Sequence, residues 1–465
     1  MRFAIWQPGS GKWRVIDDGA SSLHNDATEL LERIHTTCPE FGVLVIREFT
    51  RLLGPCHPIT VAVRDMQRAY RQIPVADEHS PLSVVAVWSP ITRGWVFGVL
   101  RSLAFGLRAS VVLFNRLPAM LVAIARRVLA IPVVHFYDDF KIVDVQDGCA
   151  DFFFGELLEE CGVIMDEDKH QKPAQSYRYL GRNEDVSQVH DQGILTASLD
   201  DDRRVALLGS VAALLQGCTA DAMPVNQLRG KLNHARSCFE HRGVTGPLVE
   251  GDPAHNAVMQ SQLRFFLDAL SHAQAKVYYM PHWSRERVTA YTDASFAAGA
   301  AGSYTTSRLC WIVCPQGKPA FGRVYDVPQS FWDRVTPRLT QIVVAEALAV
   351  VLLHRDASDA IRCLAGTLFI DNLPALSGFV LGHSKLLDLC SLYMGTTARC
   401  AFLRTAWWFE YVPSDSNLAD GGSRVGLRDP IAAAAGVTLS QGVFPTDWPC
   451  FDRYEPSEWS SWWSQ

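Results

Sequence analysis

The chain has 465 residues, 48% of them hydrophobic, which leaves room for two or three domains and a large core. Its 43 basic and 49 acidic residues give a formal net charge of −6. That argues against a sequence-independent nucleic-acid coat, because such binding rests on neutralising phosphates with Lys and Arg. Twelve cysteines with no CxxC pair, and no signal-like start, point to an intracellular, reducing compartment, cytoplasmic or nuclear.

In chain order, the first notable segment is Lys12-Trp13-Arg14 followed by Asp18. Ile59 to Val75 (ITVAVRDMQRAYRQIPV) contains a β-type run ending at Asp65, with Tyr70 five residues on. Ser102 to Leu117 (SLAFGLRASVVLFNRL) holds Phe105 and Gly106. Val133 to Ile142 reads VVHFYDDFKI, and apolar β-formers on both sides of two aspartates predict a strand–turn–strand with Asp138 and Asp139 at its tip. Adjacent carboxylates repel, and Mg²⁺ with oxygen ligands is their usual compensation. A polar hairpin turn is the plainer reading of an Asp pair, but the apolar flanks favour a metal site. Gly162 to Gly181 (GVIMDEDKHQKPAQSYRYLG) then carries Lys169 and Tyr179-Leu180-Gly181.

A second set of acids follows. VTAYTDASFAAGAAG puts Asp293 at the end of a strand before a Gly-rich turn, and VVAEALAVVLL puts Glu346 on an apolar helix. LFIDNLPAL ends a buried strand at Asp371, and YVPSDSNLADGGSR carries Asp420. A glutamate in so apolar a helix is costly unless paired or metal-bound. Strand-end aspartates converging on it would hold two Mg²⁺ ions about 3.5–4 Å apart, suited to in-line phosphodiester hydrolysis.

Other features carry less. Arg64, Arg68 and Arg71, the Arg126-Arg127 pair and the Arg203-Arg204 pair could track a phosphate backbone or simply form solvated faces. His234, Cys238 and His241 share helical spacing without a fourth ligand for zinc. Arg101, Arg108, Arg116, Arg126 and Arg127 interrupt the apolar stretch from Gly94 to Phe136, so no membrane span is expected. The Asp200–Arg204 charge run and Met280-Pro281-His282 are candidate junctions.

Taken together, these segments resemble a retroelement reverse transcriptase with a fused ribonuclease H, of the DIRS type or a related group. Residues 12 to 181 match, in order, the family's fingers motif and palm motifs A to E. The resemblance implies that Asp65 and Asp138, with Asp139 beside them, bind metal, and that Lys12, Arg14 and Lys169 lie near the nucleotide triphosphate. Phe105 and Gly106 would open a helix under the template and incoming nucleotide, Tyr70 would lie beneath the ribose, and Tyr179, Leu180 and Gly181 would form the primer grip. Asp293, Glu346, Asp371 and Asp420 match the four ribonuclease H carboxylates. VPSxxNxAD followed by Ser423-Arg424, and QLRGKLNHARSC with His241-Arg242-Gly243 and Gly246-Pro247-Leu248, match retroelement forms of that domain and of the connection before it.

The implied fold is α+β and multidomain: partial fingers over 1–60, a palm over 61–195, a helical thumb and connection over 196–286, a ribonuclease H-like α/β domain over 287–425 and a tail over 426–465. The tail either packs on the preceding domain or stays partly disordered. The implied cofactor is Mg²⁺, two ions per site, with Mn²⁺ as an alternative. The implied partners are an RNA template, a DNA primer, RNA–DNA hybrid and dNTPs, with any integrase or recombinase partner open. Three departures stand out: Ala109-Ser110 replaces a common Ala-Pro, no histidine directly precedes Asp420, and only eleven residues precede Lys12. They keep two alternatives open, an inactive relic that only binds nucleic acid and a ribonuclease H with a non-catalytic palm.

Overall fold

A computed structural model describes residues 2–7, 11–34, 36–54, 57–216, 222–235, 238, 256–272, 275–280, 287–298 and 304–464. The chain is mixed α+β and divides into two compact units, Met1–Thr196 with Tyr278–Trp283, and Ala197–Val277 with Ser284–Gln465. His241 to Leu248 and the Pro281-His282 junction lie outside the described residues.

In the first unit, a hairpin of β1 (Arg2–Gln7) and β2 (Lys12–Asp17) precedes the helix Pro39–Leu53 and β3 (Ile59–Asp65). An exposed hairpin, β4 (Val84–Ser89) with β5 (Gly94–Val99), leads to the helix Arg108–Arg127. Next come β6 (Val133–Phe136), β7 (Asp139–Val145), the helix Ala150–Glu160 and β8 (Gln171–Ala174). Antiparallel strands in the order β6-β7-β3-β8 form the central sheet.

The near-continuous apolar run of β3 reflects burial on both faces, and the period of two divides the packing. Ala62, Phe140 and Ile142 join one core with Phe114, Leu121 and Ala125 of the Arg108–Arg127 helix and Phe154 of the Ala150–Glu160 helix. Val61, Val63 and Val143 join another with Val43 and Ile46 of the Pro39–Leu53 helix and with Tyr177 and Tyr179 of β9 (Ser176–Tyr179). β9 turns into β10 (Arg182–Asp185) through Leu180 and Gly181, whose φ values of 50° and 72° fit a type I′ hairpin. β11 (Ile194–Leu199) and β12 (Lys276–Tyr279) continue this sheet in the order β12-β11-β10-β9.

One expectation needs correction. The Arg108–Arg127 helix is, by length and composition alone, apolar enough to cross a membrane, because its charges cluster at its ends and at Arg116. Its inner face nonetheless fills the protein core, with Phe114, Leu121 and Ala125 fully buried.

The second unit is built on a six-stranded sheet. β13 (Arg287–Ala298), β14 (Tyr304–Pro315) and β15 (Phe321–Asp326) form an antiparallel meander. The helix Ile342–Asp356 then leads to β16 (Ala365–Ile370), parallel to β13, and the helices Leu373–Leu381 and Leu387–Leu403 lead to β17 (Ala406–Tyr411), parallel to β16. β18 (Thr438–Gln441) pairs parallel with β15, giving the order β17-β16-β13-β14-β15-β18. The Ile342–Asp356 helix is apolar all round and accordingly is buried without a break from Val344 to His354.

A single core runs from Leu199 through the helices Asp201–Leu215, Ala222–Ala235 and Ala257–Ser271 to the sheet and on to Trp463. The boundaries placed at 286 and 425 by sequence are therefore not breaks in packing. Residues beyond 425 supply an edge strand and the helix Pro456–Trp463, whose Trp459, Trp462 and Trp463 are buried. The Trp459 indole donates to Ser391 Oγ at 3.1 Å and lies where a Cβ on Gly395 would meet it at 2.6 Å, while Arg355 sits 4.4 Å from the Trp462 ring centre. Trp459→Ala should destabilise the second unit by about 3–5 kcal/mol, as expected for removing a fully buried indole; a denaturant titration followed by tryptophan fluorescence reads this, and a loss below about 1 kcal/mol would contradict the packing.

Candidate functional sites

In the first unit, sheet register gathers three carboxylates. β3 ends on Asp65, whose partner across the ladder is Asp139, the first residue of β7. Phe136 pairs with Asp139, which leaves Tyr137 and Asp138 as a two-residue turn with Tyr137 at φ 52°. The Asp138 carbonyl accepts from the Met66 amide at 3.0 Å, pinning the turn to the residue after Asp65. The hairpin tip expected from VVHFYDDFKI thus forms.

The cost of this arrangement appears in the titration of its members. Burial, with the charges of Asp138 and Asp65, pushes Asp139 up to about 7. Burial raises Asp138 as well, and the Asp65 charge adds to it, against Lys169 and Arg14. Lys169 Nζ donates to Asp65 Oδ1 at 2.7 Å and lies 3.5 Å from Asp166, so in this conformation it partners an acid. Arg14 stacks over the Phe105 ring at 5.5 Å. Tyr70 stands on a short turn, half-buried between Phe105 at 5.5 Å and Phe114 at 4.9 Å. Lys12 pairs with Gln7 in the hairpin, and its side chain lies outside the described residues.

Phe105 and Gly106 make the turn before the Arg108–Arg127 helix, and here glycine is required. Gly106 has φ 123°, and a Cβ would fall 2.0 Å from the Asp17 carbonyl oxygen. That close approach lets the Asp17 amide donate to the Phe105 carbonyl at 2.8 Å. Asp17 also accepts from Arg2 at 2.7 Å and Arg71 at 2.8 Å, while Asn25 Oδ1 caps the helix at the Arg108 amide, 2.8 Å away. Sequence reading singled out Asp18, but Asp18 accepts from its near neighbours, the amides of Ala20 and Ser21 and the Ser21 side chain. Asp17 makes the long-range ties, and its place at the end of β2 next to Asp18 gives no sequence signal of that role.

In the second unit, Asp293, Glu346 and Asp371 each offer an oxygen within 4.8 Å of the others. Asp293 is not at a strand end: β13 continues to Ala298, still paired with β14. Parallel pairing of Thr292 with Ile370 sets Asp293 beside Asp371, directly after β16, and Glu346 reaches them from one turn inside its helix. Glu346 Oε1 accepts from the Ala294 amide at 3.3 Å, whereas its Oε2 is buried with no hydrogen-bond partner among the described residues. Asp420 opens the short helix Asp420–Val425 and is not in the close group. It pairs with Arg424 at 2.7 Å, and its charge still bears on Asp293 and Glu346.

Burial pushes Asp293 up to about 8, Asp371 and Asp420 add to this, and the Ser423 hydroxyl opposes it. Burial, then the charges of Asp293 and Asp371, also raises Glu346 well above the ordinary range. Ser423 Oγ donates to Asp293, Asn417 Nδ2 donates to the Thr292 carbonyl at 2.9 Å and to Asp293 at 3.4 Å, and Ser414 donates to Asp371 at 2.8 Å. No role was assigned to these three from sequence, although the VPSxxNxAD segment that contains Ser414 and Asn417 was its signal. A hard divalent cation fits the donor set, since carboxylate oxygens are its preferred ligands and the orphaned Glu346 oxygen lacks any other partner.

No family model and no characterised protein sequence matches the chain. A solved structure of the foamy viral protease-reverse transcriptase in complex with RNA/DNA hybrid is similar over 88% of this chain and 50% of that one, with 14% identity and a TM-score of 0.44. The chain spans about half the length of that protein.

The raised Asp293 sets a pH dependence. A carboxyl lifted from 3.8 to about 8 on folding stabilises the metal-free fold fully below pH 3.8, and that contribution disappears as pH rises toward 8. The second unit should therefore unfold at progressively lower denaturant as pH goes from 4 to 8 in EDTA, and millimolar Mg²⁺ should reverse much of the loss at pH 8. Denaturant midpoints across that range, with and without Mg²⁺, measure both effects; Mg²⁺-independent midpoints would contradict a metal site.

Proposed function

We propose that this chain is an RNA-directed DNA polymerase with a ribonuclease H activity, of retroelement origin. The observation that carries the reading is that each unit holds its own buried, mutually repelling carboxylate cluster, on strands and a turn in the first and on strands and a helix in the second, in the motif order of that family. In this reading the first unit comprises partial fingers and palm, and the second comprises thumb, connection and ribonuclease H-like parts.

In the first unit, Asp65 and Asp138, with Asp139, would hold Mg²⁺, or Mn²⁺ in its place, beside a DNA primer on an RNA template. The bound ions would lower the barrier to attack by the primer hydroxyl and neutralise the departing pyrophosphate. Arg14 and Lys169 both bear on the Asp138 charge and would meet the dNTP triphosphate, Lys169 by exchanging Asp65 for phosphate oxygen. In the second unit, Asp293, Glu346 and Asp371 would hold the ions, with Asp420 completing the set. Ser423 and Asn417 keep the Asp293 carboxylate oriented for cutting the RNA strand of a hybrid. The protein would act inside the cell, on nucleic acid.

Two substitutions separate the activities. Asp138→Asn should abolish primer extension and leave hybrid cleavage at the parental level, and Glu346→Gln should do the reverse, because the clusters belong to different units. Losing a metal ligand costs several kcal/mol of barrier, or roughly a thousandfold in rate. Extension on poly(rA)–oligo(dT) and cutting of a labelled RNA–DNA hybrid, both in Mg²⁺, read the two. Extension by Asp138→Asn within about tenfold of the parent would refute the polymerase assignment.

Tyr70 supplies a prediction on sugar choice. Its ring is held between Phe105 and Phe114, with Asp138 close enough to perturb its hydroxyl, so a fixed aromatic wall stands beside the first cluster. Such a wall would exclude a 2′-hydroxyl. Tyr70→Ala should raise the ratio of ribonucleotide to deoxyribonucleotide incorporation, and an unchanged ratio in an active variant would show that Tyr70 only packs.

A further inference from the structure

β7 carries an unusual residue two positions after Asp139. With a strand period of two, Asp139, Lys141 and Val143 point to the same face, and that face is covered by β9, β10 and the Pro39–Leu53 helix. Lys141 is therefore an ammonium inside an apolar layer, and its side chain is 0% exposed.

Its partners account for it. Lys141 Nζ donates to Glu184 Oε2 at 2.5 Å, and the Tyr177 hydroxyl donates to the same oxygen at 2.5 Å. Arg182, also fully buried, pairs with the other oxygen, Glu184 Oε1, and reaches the Pro39 carbonyl at 3.5 Å. Lys141 Nζ lies 5.0 Å from the Tyr177 ring centre and 5.4 Å from that of Tyr179, so two aromatic faces also receive the charge. On the other side the helix must be thin: a Cβ on Gly42 would sit 2.9 Å from the ammonium.

The consequence lies at the turn between β9 and β10. Tyr177 and Glu184 are a register pair on this hairpin, and Tyr179 and Arg182 are the pair that closes it. Three of the cluster's four members thus stand on the hairpin, and the fourth stands on the strand of Asp139. Single-partner contacts between hairpins slide easily, but a buried ammonium between one carboxylate oxygen and two rings fixes a single register.

We propose that Lys141, Glu184, Arg182 and Tyr177 form a buried clamp that locks the Tyr179-Leu180-Gly181 turn over the Asp139 strand and so sets where a primer terminus lies, with Lys141 as the positioning residue. The primer part of this rests on the polymerase reading above. Lys141 itself touches no substrate. It acts through the hairpin.

Lys141→Met is the informative variant, because it keeps a long unbranched side chain and leaves Arg182 and Glu184 as a charge-balanced pair. In the full chain it should raise the KM for an annealed DNA primer on RNA template by about tenfold while leaving the KM for dNTP at the parental value. Amide exchange across residues 176–185 should quicken, with exchange in the Arg108–Arg127 helix unchanged. Tyr177→Phe, which removes one hydroxyl from Glu184, should move the same quantities in the same direction, and it decides the matter if Lys141→Met does not fold. A lowered melting temperature with parental primer KM and parental exchange in the hairpin would overturn the clamp, since a purely stabilising cluster behaves that way. If the parent protein extends no primer, the polymerase reading falls. Exchange across residues 176–185 in the two variants then decides the clamp alone, parental protection overturning it.

Discussion

Like-charge repulsion among buried carboxylates is the constraint around which both units are arranged. Each cluster brings acids together where burial already disfavours their charged forms, so Asp139 is pushed up to about 7 and Asp293 to about 8. A loop would relax such repulsion by moving apart. These acids cannot, because ladder register fixes Asp65 opposite Asp139, and Asp293 beside the residue after Ile370. The strain is held by backbone hydrogen bonds, and a divalent cation or protons can relieve it.

The first unit also shows how the same chain treats buried charge that is not meant to be relieved. Lys141, Arg182 and Glu184 are as deeply buried as any residue in the protein, yet the cations hold the Glu184 carboxyl down at about 2 in spite of its burial. Two environments on one strand face, two residues apart, therefore have opposite electrostatic character: at the tip the acids outnumber the one paired cation, Lys169, and beneath it two cations share one carboxylate. A charge-compensated network gives rigidity, and an uncompensated one gives affinity for a ligand. The contrast sorts scaffold from site without reference to any relative.

The parts legible in the sequence are those whose signal is local. Alternating apolar residues around Asp138 and Asp139, a β-run stopping at Asp65 and a glutamate in an otherwise apolar helix each announce their environment within ten or so neighbours. Asp293 was placed at a strand end because the glycines and alanines after it read as a turn, whereas pairing with β14 carries the strand on to Ala298. Asp17, Asn417 and Ser423 went unassigned because each acts on a residue far along the chain: Asp17 on Arg71, Asn417 and Ser423 on Asp293. Lys141 drew no reading from the sequence for the same reason, since Glu184 lies 43 residues on, with Arg182 beside it. The tryptophans of the last helix had no visible partner until Ser391, Gly395 and Arg355 came beside them.

One more regularity links the two clusters. In each, an outer carboxylate is paired with an exposed cation from its own chain, Asp65 with Lys169 and Asp420 with Arg424, the basic side chains being 60% and 64% exposed. Ion pairs with so much solvent contribute about 0–1 kcal/mol, so separating either basic side chain from its carboxylate costs little. The inner acids Asp139, Asp293 and Glu346 pair with no cation among the described residues. Each cluster therefore has a solvent-exposed cation at its rim and, at its centre, buried carboxylates whose mutual repulsion added positive charge or protons would relieve.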